Sequence, residues 1–394
     1  MRRPSRAAAL AAGMGTVALT LAACGTTSPT PAAPTAIVLP PAQALPGSGG
    51  TWATLAMGHV GDPLNTFGEL FVRTGGAWSL VTPPGVASNG GLMVAANPDG
   101  GLTAGFGVSL DLRFSPLAET SDAGTAWSGG ILPAGLVPVP DALAASGPAA
   151  RLALVSTAGG TVLAAGSDID AWSRLSGTDG VAPVATASGC ALGPLTAVAI
   201  TGTGDDLVAG TCAAGGRAGV FRIGSSGHPV PVSDVGPRIP GGAGPVEVDR
   251  LVATGAGLAA LVSTGTGSGT RLVTATSTDD GAAWTVSSPV ATGGREVRAT
   301  AVTPSGGFAV LLASGTAASG LEVGAPGGAW QSLPVPPADT SVVAALPDGR
   351  FDALVPAGVQ LEVSTLEPGA GGPSAGSWVR TQTVDVPLQY GSSG

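Results

Sequence analysis

The chain has no lysine, one tyrosine, two histidines and three cysteines in 394 residues, and only 10% of it is charged. An ordinary soluble domain carries about 25% charged residues. Each scarcity excludes something. A disordered chain is poor in apolar residues and rich in charge, whereas this one is 44% hydrophobic with a mean hydropathy of +0.40, so it folds. The two histidines, His59 and His228, sit in turn-like contexts without ligand-spaced neighbours, so neither a zinc motif nor a Ser-His-Asp arrangement stands out. Asp205-Asp206 and Asp279-Asp280 lack the spacing of a calcium loop. No metal and no cofactor is expected. What the chain has in excess is Gly (65) and Pro (34), the residues of turns and of extended tethers.

The N-terminal segment reads as an address. Arg2, Arg3 and Arg6 precede an uncharged, mostly apolar run from Ala7 to Leu21. That run is shorter than the ~20 residues a membrane-spanning helix needs. It ends in Leu21-Ala22-Ala23-Cys24-Gly25, which resembles the lipobox of bacterial lipoproteins. The resemblance implies a signal peptide over 1–23, cleavage before Cys24, and lipidation of the Cys24 thiol. The expected location is therefore the extracytoplasmic face of the cell membrane, held by the lipid at Cys24. Residues 24–50, rich in Pro, Thr and Ala, read as a tether that reaches up to ~80 Å if extended. Without the leader, 25 acidic residues face 13 Arg, which disfavours nucleic acid as a partner. With Cys24 set aside, Cys190 and Cys212 remain as an even pair in an exported chain, and a disulfide between them is expected.

Residues 51–394 repeat. A short apolar strand, a Gly-rich turn and a second apolar strand recur from Leu92, Leu152, Ala197, Leu251, Ala299 and Val342, at an average spacing of 50 residues. Ala- and Val-rich runs of this length suit strands buried on both faces, and no segment offers a sustained helical period. A Trp opens a later strand in most copies: Trp78, Trp127, Trp172, Trp284, Trp330 and Trp378. Four strands per 40–50 residues is the pattern of an all-β fold, a β-propeller, with seven four-stranded blades expected and six as the alternative. The first unit shows three clear strands, and its fourth is expected from Ala36–Leu39 or from the C-terminal TVDVPLQY.

Two turns carry a resemblance. Ser277, Asp279, Gly281 and Trp284, and likewise Asp122, Gly124 and Trp127, resemble the Asp-box of BNR-type propellers, the superfamily that includes the sialidases. The resemblance implies structural turns, with Asp bonding the turn backbone and Trp packing beneath it. Sialidases use a Tyr nucleophile, and the sole tyrosine here, Tyr390, lies in the terminal tail, so no sialidase turnover is expected and no catalytic residue is assigned. Arg151, Arg250 and Arg298 each precede a repeated apolar run, and a convergence of the three on an anion at the channel rim is one reading. Pairing with Glu247, Asp249 and Glu296 is the other. The sequence thus points to a monomeric, lipid-anchored binding or scaffold module for an envelope protein or cell-wall glycan. A sialidase-like glycoside hydrolase and an assembly factor for a membrane complex are the alternatives.

Overall fold

A computed structural model describes residues 42–387 apart from 48, 60–65, 84–91, 98–100, 107–114, 133–139, 147–149, 158–159, 168–171, 215 and 241–243. Cys24, the leader and Tyr390 lie outside the described residues. Among the described residues 29 strands form five sheets of eight, four, nine, four and four strands. In chain order they read as seven antiparallel units of four, over 42–80, 92–132, 142–177, 192–234, 246–286, 296–333 and 342–385, with Val290–Ala291 as an extra edge strand. The protein is a β-propeller.

Composition explains the packing. The hydrophobic clusters lie between successive units, and their members are mostly Ala, Val and Leu on both faces of the same strands. In the fifth unit Leu258, Ala260 and Val262 face the fourth, while Ala259 and Leu261 face the sixth. Small side chains let neighbouring sheets approach closely, whereas outermost strands such as His228–Asp234 and Gly372–Asp385 expose alternate residues.

The strand that completes the first unit is Ala42–Gly47. It takes neither of the two sources expected for it, and it begins inside the segment read as tether. Its neighbours explain why. It pairs antiparallel with Gly50–Gly58 on one side and parallel with Glu296–Val302, the innermost strand of the sixth unit, on the other. Ala42 faces Ala299 and Ala44 faces Ala301, and only side chains this small let two innermost strands meet. The innermost strand of the seventh unit, Val342–Ala345, packs into the same cluster, so the units are not evenly disposed around the centre. With the strand starting at 42, the tether beyond Cys24 shortens to a reach of roughly 50 Å.

Two further expectations are corrected. Residues Thr178–Ala187 form an α-helix, with Val181 and Ala185 buried one turn apart in the cluster between the third and fourth units. It is too short to show a sustained period. The apolar run from Leu152 is not an innermost hairpin: Arg151–Thr157 and Gly160–Gly166 are the second and third strands of the third unit, behind the short innermost Ala142–Ala145. Four residues of Ala and Leu had too little pattern to be read as a strand.

Candidate functional site

The innermost strands of the fourth, fifth and sixth units, Leu192–Ile200, Val246–Thr254 and Glu296–Val302, each take an extra residue at a corresponding place, and the fourth takes a second between Leu192 and Leu195. Leu195 and Ala197 face consecutive partners, as do Val248 with Arg250 and Val297 with Ala299, which leaves Thr196, Asp249 and Arg298 as bulges. A bulge re-aims the side chains beside it, and here three occur three to five residues into innermost strands. Thr196 donates to Val248 O at 2.6 Å and so ties the fourth unit to the fifth.

The three arginines do not share one ligand position. Arg151 starts a second strand and is 2% exposed. Its Nε donates to Glu119 Oε1 at 3.0 Å and its Nη2 pairs with Glu119 Oε2, so it bridges the third unit to the second. Arg298 donates to the carbonyls of Thr340 (3.1 Å), Gly315 (3.4 Å) and Thr316. Arg250 donates from Nη1 to Gln43 Oε1, and Gln43 Nε2 in turn reaches Met93 Sδ at 3.3 Å. Gln43, 1% exposed, thus links innermost strands of the second and fifth units through the first. None of the three pairs with Glu247, Asp249 or Glu296. Sequence reasoning missed Gln43 because it lies in a Pro- and Ala-rich stretch with no strand pattern.

Asp249 stands next to Arg250 without bonding it. Its Oδ1 accepts from Ser263 Oγ at 3.1 Å, while its buried Oδ2 has no partner. Burial first, and the neighbouring Glu247 second, push its carboxyl up to about 7. Burial also pulls the Arg250 guanidinium down to about 10. Among the described residues no group of three or more His, Cys, Asp or Glu is placed to hold a metal.

The two Trp-bearing turns share one hydrogen-bond plan. Ser277 Oγ donates to Asp279 Oδ1 at 2.8 Å and accepts from Gly281 N at 2.8 Å, and Ala283 N donates to Asp279 Oδ1 at 2.8 Å. In the other turn Thr120 replaces the serine: its Oγ1 donates to Asp122 Oδ1 at 2.8 Å and accepts from Gly124 N, while Ala126 N donates to Asp122 at 3.0 Å. Asp280–Gly281 and Ala123–Gly124 both take positive φ. Trp284 Nε1 donates to Val235 O at 2.7 Å on the fourth unit. A side-chain hydrogen bond from Thr125 and the turn's N–H donors hold the Asp122 carboxyl down to about 2, and the same kind of bond lowers Asp279. Carboxylates so engaged brace turns.

The cysteine pair is joined. Cys190 and Cys212 form a disulfide with Cα atoms 5.0 Å apart, both side chains buried. It ties the end of the helix to the second strand of the fourth unit, Asp205–Cys212.

Fold and site together define a β-propeller whose innermost strands carry polar, partly unpaired side chains. No family model and no curated protein matches the sequence. Among solved structures the chain is similar to the periplasmic gluconolactonase of Pseudomonas aeruginosa, at 13% identity over 84% of this chain and 95% of that one, with a TM-score of 0.54. It is also similar to a protein from Lactobacillus plantarum, at 11% identity over 86% of this chain and 97% of that one, with a TM-score of 0.52. At such identity the likeness is one of fold.

Proposed function

We propose that the protein is a lipid-anchored, extracytoplasmic propeller that binds an envelope protein or a cell-wall glycan. The observation that carries this reading is the placement of Ala42–Gly47. The first strand after the tether is held on both sides at the centre of the ring, by Gly50–Gly58 and by Glu296–Val302. In this reading a load arriving through the tether is shared by two units. The lipobox-like Leu21-Ala22-Ala23-Cys24 supplies the anchor in this reading. The buried disulfide agrees with an oxidising compartment. The Asp-box resemblance of the two braced turns favours a BNR-type propeller, a fold that serves binding as readily as catalysis.

Metabolic labelling with a palmitate analogue tests the anchor. Label is expected on the wild type and lost in Cys24→Ala, and equal labelling of both would overturn the lipoprotein reading. A glycan array and capture of envelope proteins by the full chain separate the two partner classes.

A further inference from the structure

The arginines of this protein are not treated alike. Seven of those described meet a carboxylate, from the buried Arg151 with Glu119 to the exposed Arg350 with Asp348. Arg174, Arg238 and Arg271 have no such partner and lie exposed, where water solvates them. Arg298 is half-buried but rests on three backbone carbonyls. Arg250 is the exception. It is half-buried on an innermost strand, and among the described residues its one hydrogen-bond partner is the amide oxygen of Gln43, on another.

An amide oxygen brings no charge. A guanidinium offers five donors in a planar fork suited to a carboxylate, and Gln43 engages one nitrogen of it. No opposite charge offsets the downward pull of burial on Arg250. The nearest carboxyl in sequence, Asp249, is the bulged residue: one oxygen takes Ser263, the other has no partner, and no ion pair joins it to Arg250. An uncompensated cation is costly to bury. A fold that pairs seven other arginines and leaves this one without a counter-ion has kept a position for one.

We propose that Arg250 is the receptor for a carboxylate group of a ligand, with Gln43 holding the guanidinium in place until it arrives. This rests on the reading of the propeller as a binding module and names the chemistry of what it binds. A carboxylate here is either the free C-terminus of a peptide or the acid group of a uronic sugar.

The test is titration calorimetry on full-length protein in detergent with N-acetyl-dialanine and with glucuronate. Each is compared with an uncharged counterpart, the dialanine amide and glucose. At least one carboxylate is expected to bind about tenfold or more tighter than its counterpart, and which one identifies the source. Arg250→Gln should erase the difference. Gln43→Glu should erase it too, because it supplies the missing carboxylate from within, and should raise Tm while doing so. Equal binding of charged and uncharged probes, no carboxylate binding up to about 10 mM, or unchanged affinity in Gln43→Glu would each overturn the proposal. If Arg250→Gln does not fold, Gln43→Glu decides. Binding in detergent is independent of the anchor. A chain that labels at Cys24 and captures a partner, yet ignores both carboxylates, sinks this site and leaves the anchored-module reading standing.

Discussion

Asp249 and Arg250 are adjacent, oppositely charged and half-buried, and the bulge between Val248 and Arg250 keeps them from neutralising each other. For Asp249 the consequence is measurable. Its carboxyl is raised from 3.8 to about 7, so the folded protein holds a proton that the unfolded chain releases earlier. The stability linked to that proton is complete below pH 3.8 and is lost as pH rises through 7. Asp206, raised to about 6 chiefly by burial, acts in the same direction. Tm is therefore expected to fall between pH 5 and pH 8. Asp249→Asn, which keeps the shape and cannot ionise, should flatten part of that slope and melt higher than the wild type at pH 8, by about 2 °C or more. A variant with the wild-type slope would show that Asp249 is ionised at no cost. The turn carboxylates have the opposite sign. Asp122 is lowered to about 2, so its stabilisation is present above pH 4 and lost as pH falls through 2. Asp122→Asn should therefore be more harmful at pH 7 than at pH 2.5, read as the difference in Tm from wild type.

Among elements, those whose geometry is fixed by near neighbours were readable in the chain, and those fixed by distant partners were not. The turns at Asp122 and Asp279 were legible because the bonds their Ser, Thr and Asp side chains make within the turn lie within five residues. The disulfide was legible because one hairpin, Leu192–Ile200 with Asp205–Cys212, returns the chain to its starting level. Ala42–Gly47 was not, since its strand character comes from Ala299 and Ala301 some 250 residues away (roughly) and not from its own Pro-containing sequence. Arg151 was misassigned for a similar reason: Ala142–Ala145 is a strand only because Arg151–Leu154 pairs with it. The disulfide also yields a prediction. It closes a loop with a sequence separation of 22 and fastens the helix Thr178–Ala187, whose own N-terminus lacks a side-chain cap. Cys190→Ala with Cys212→Ala should cost about 3 kcal/mol, and free-thiol counting on the unreduced wild type should find none at these two positions. Hydrogen exchange should then show the helix opening before the strands of the fourth unit. Protection of the helix equal to wild type would mean that Val181 and Ala185 hold it unaided.

At the scale of the whole molecule the question is how a row of sheets becomes a ring, and the answer lies where the seventh unit meets the first. Asp352, 1% exposed, takes Trp78 Nε1 on Oδ2 at 2.8 Å and Thr365 Oγ1 on Oδ1 at 2.7 Å, and Arg73 Nε lies 2.8 Å from Oδ2. Gln382 clasps the backbone of Trp78 from both sides, accepting from its N–H and donating to its carbonyl at 2.8 Å each. Asp352 and Gln382 belong to the seventh unit, Arg73 and Trp78 to the first, so a single carboxylate joins residues 274 positions apart. Asp352→Ala leaves both the guanidinium and the indole N–H without an acceptor, whereas Arg73→Met removes only the cation and leaves Asp352 with two donors. The first should therefore cost about 3 kcal/mol, at the low end for breaking a buried pair because Arg73 retains 16% exposure. The second should cost about 1 kcal/mol. The two together should cost less than the sum, since they act on one contact. Chemical denaturation of the four proteins measures all three quantities. If Asp352→Ala is no worse than Arg73→Met, or if the costs simply add, then the ring is closed by the apolar cluster of Phe71, Leu354 and Leu366 rather than by this carboxylate.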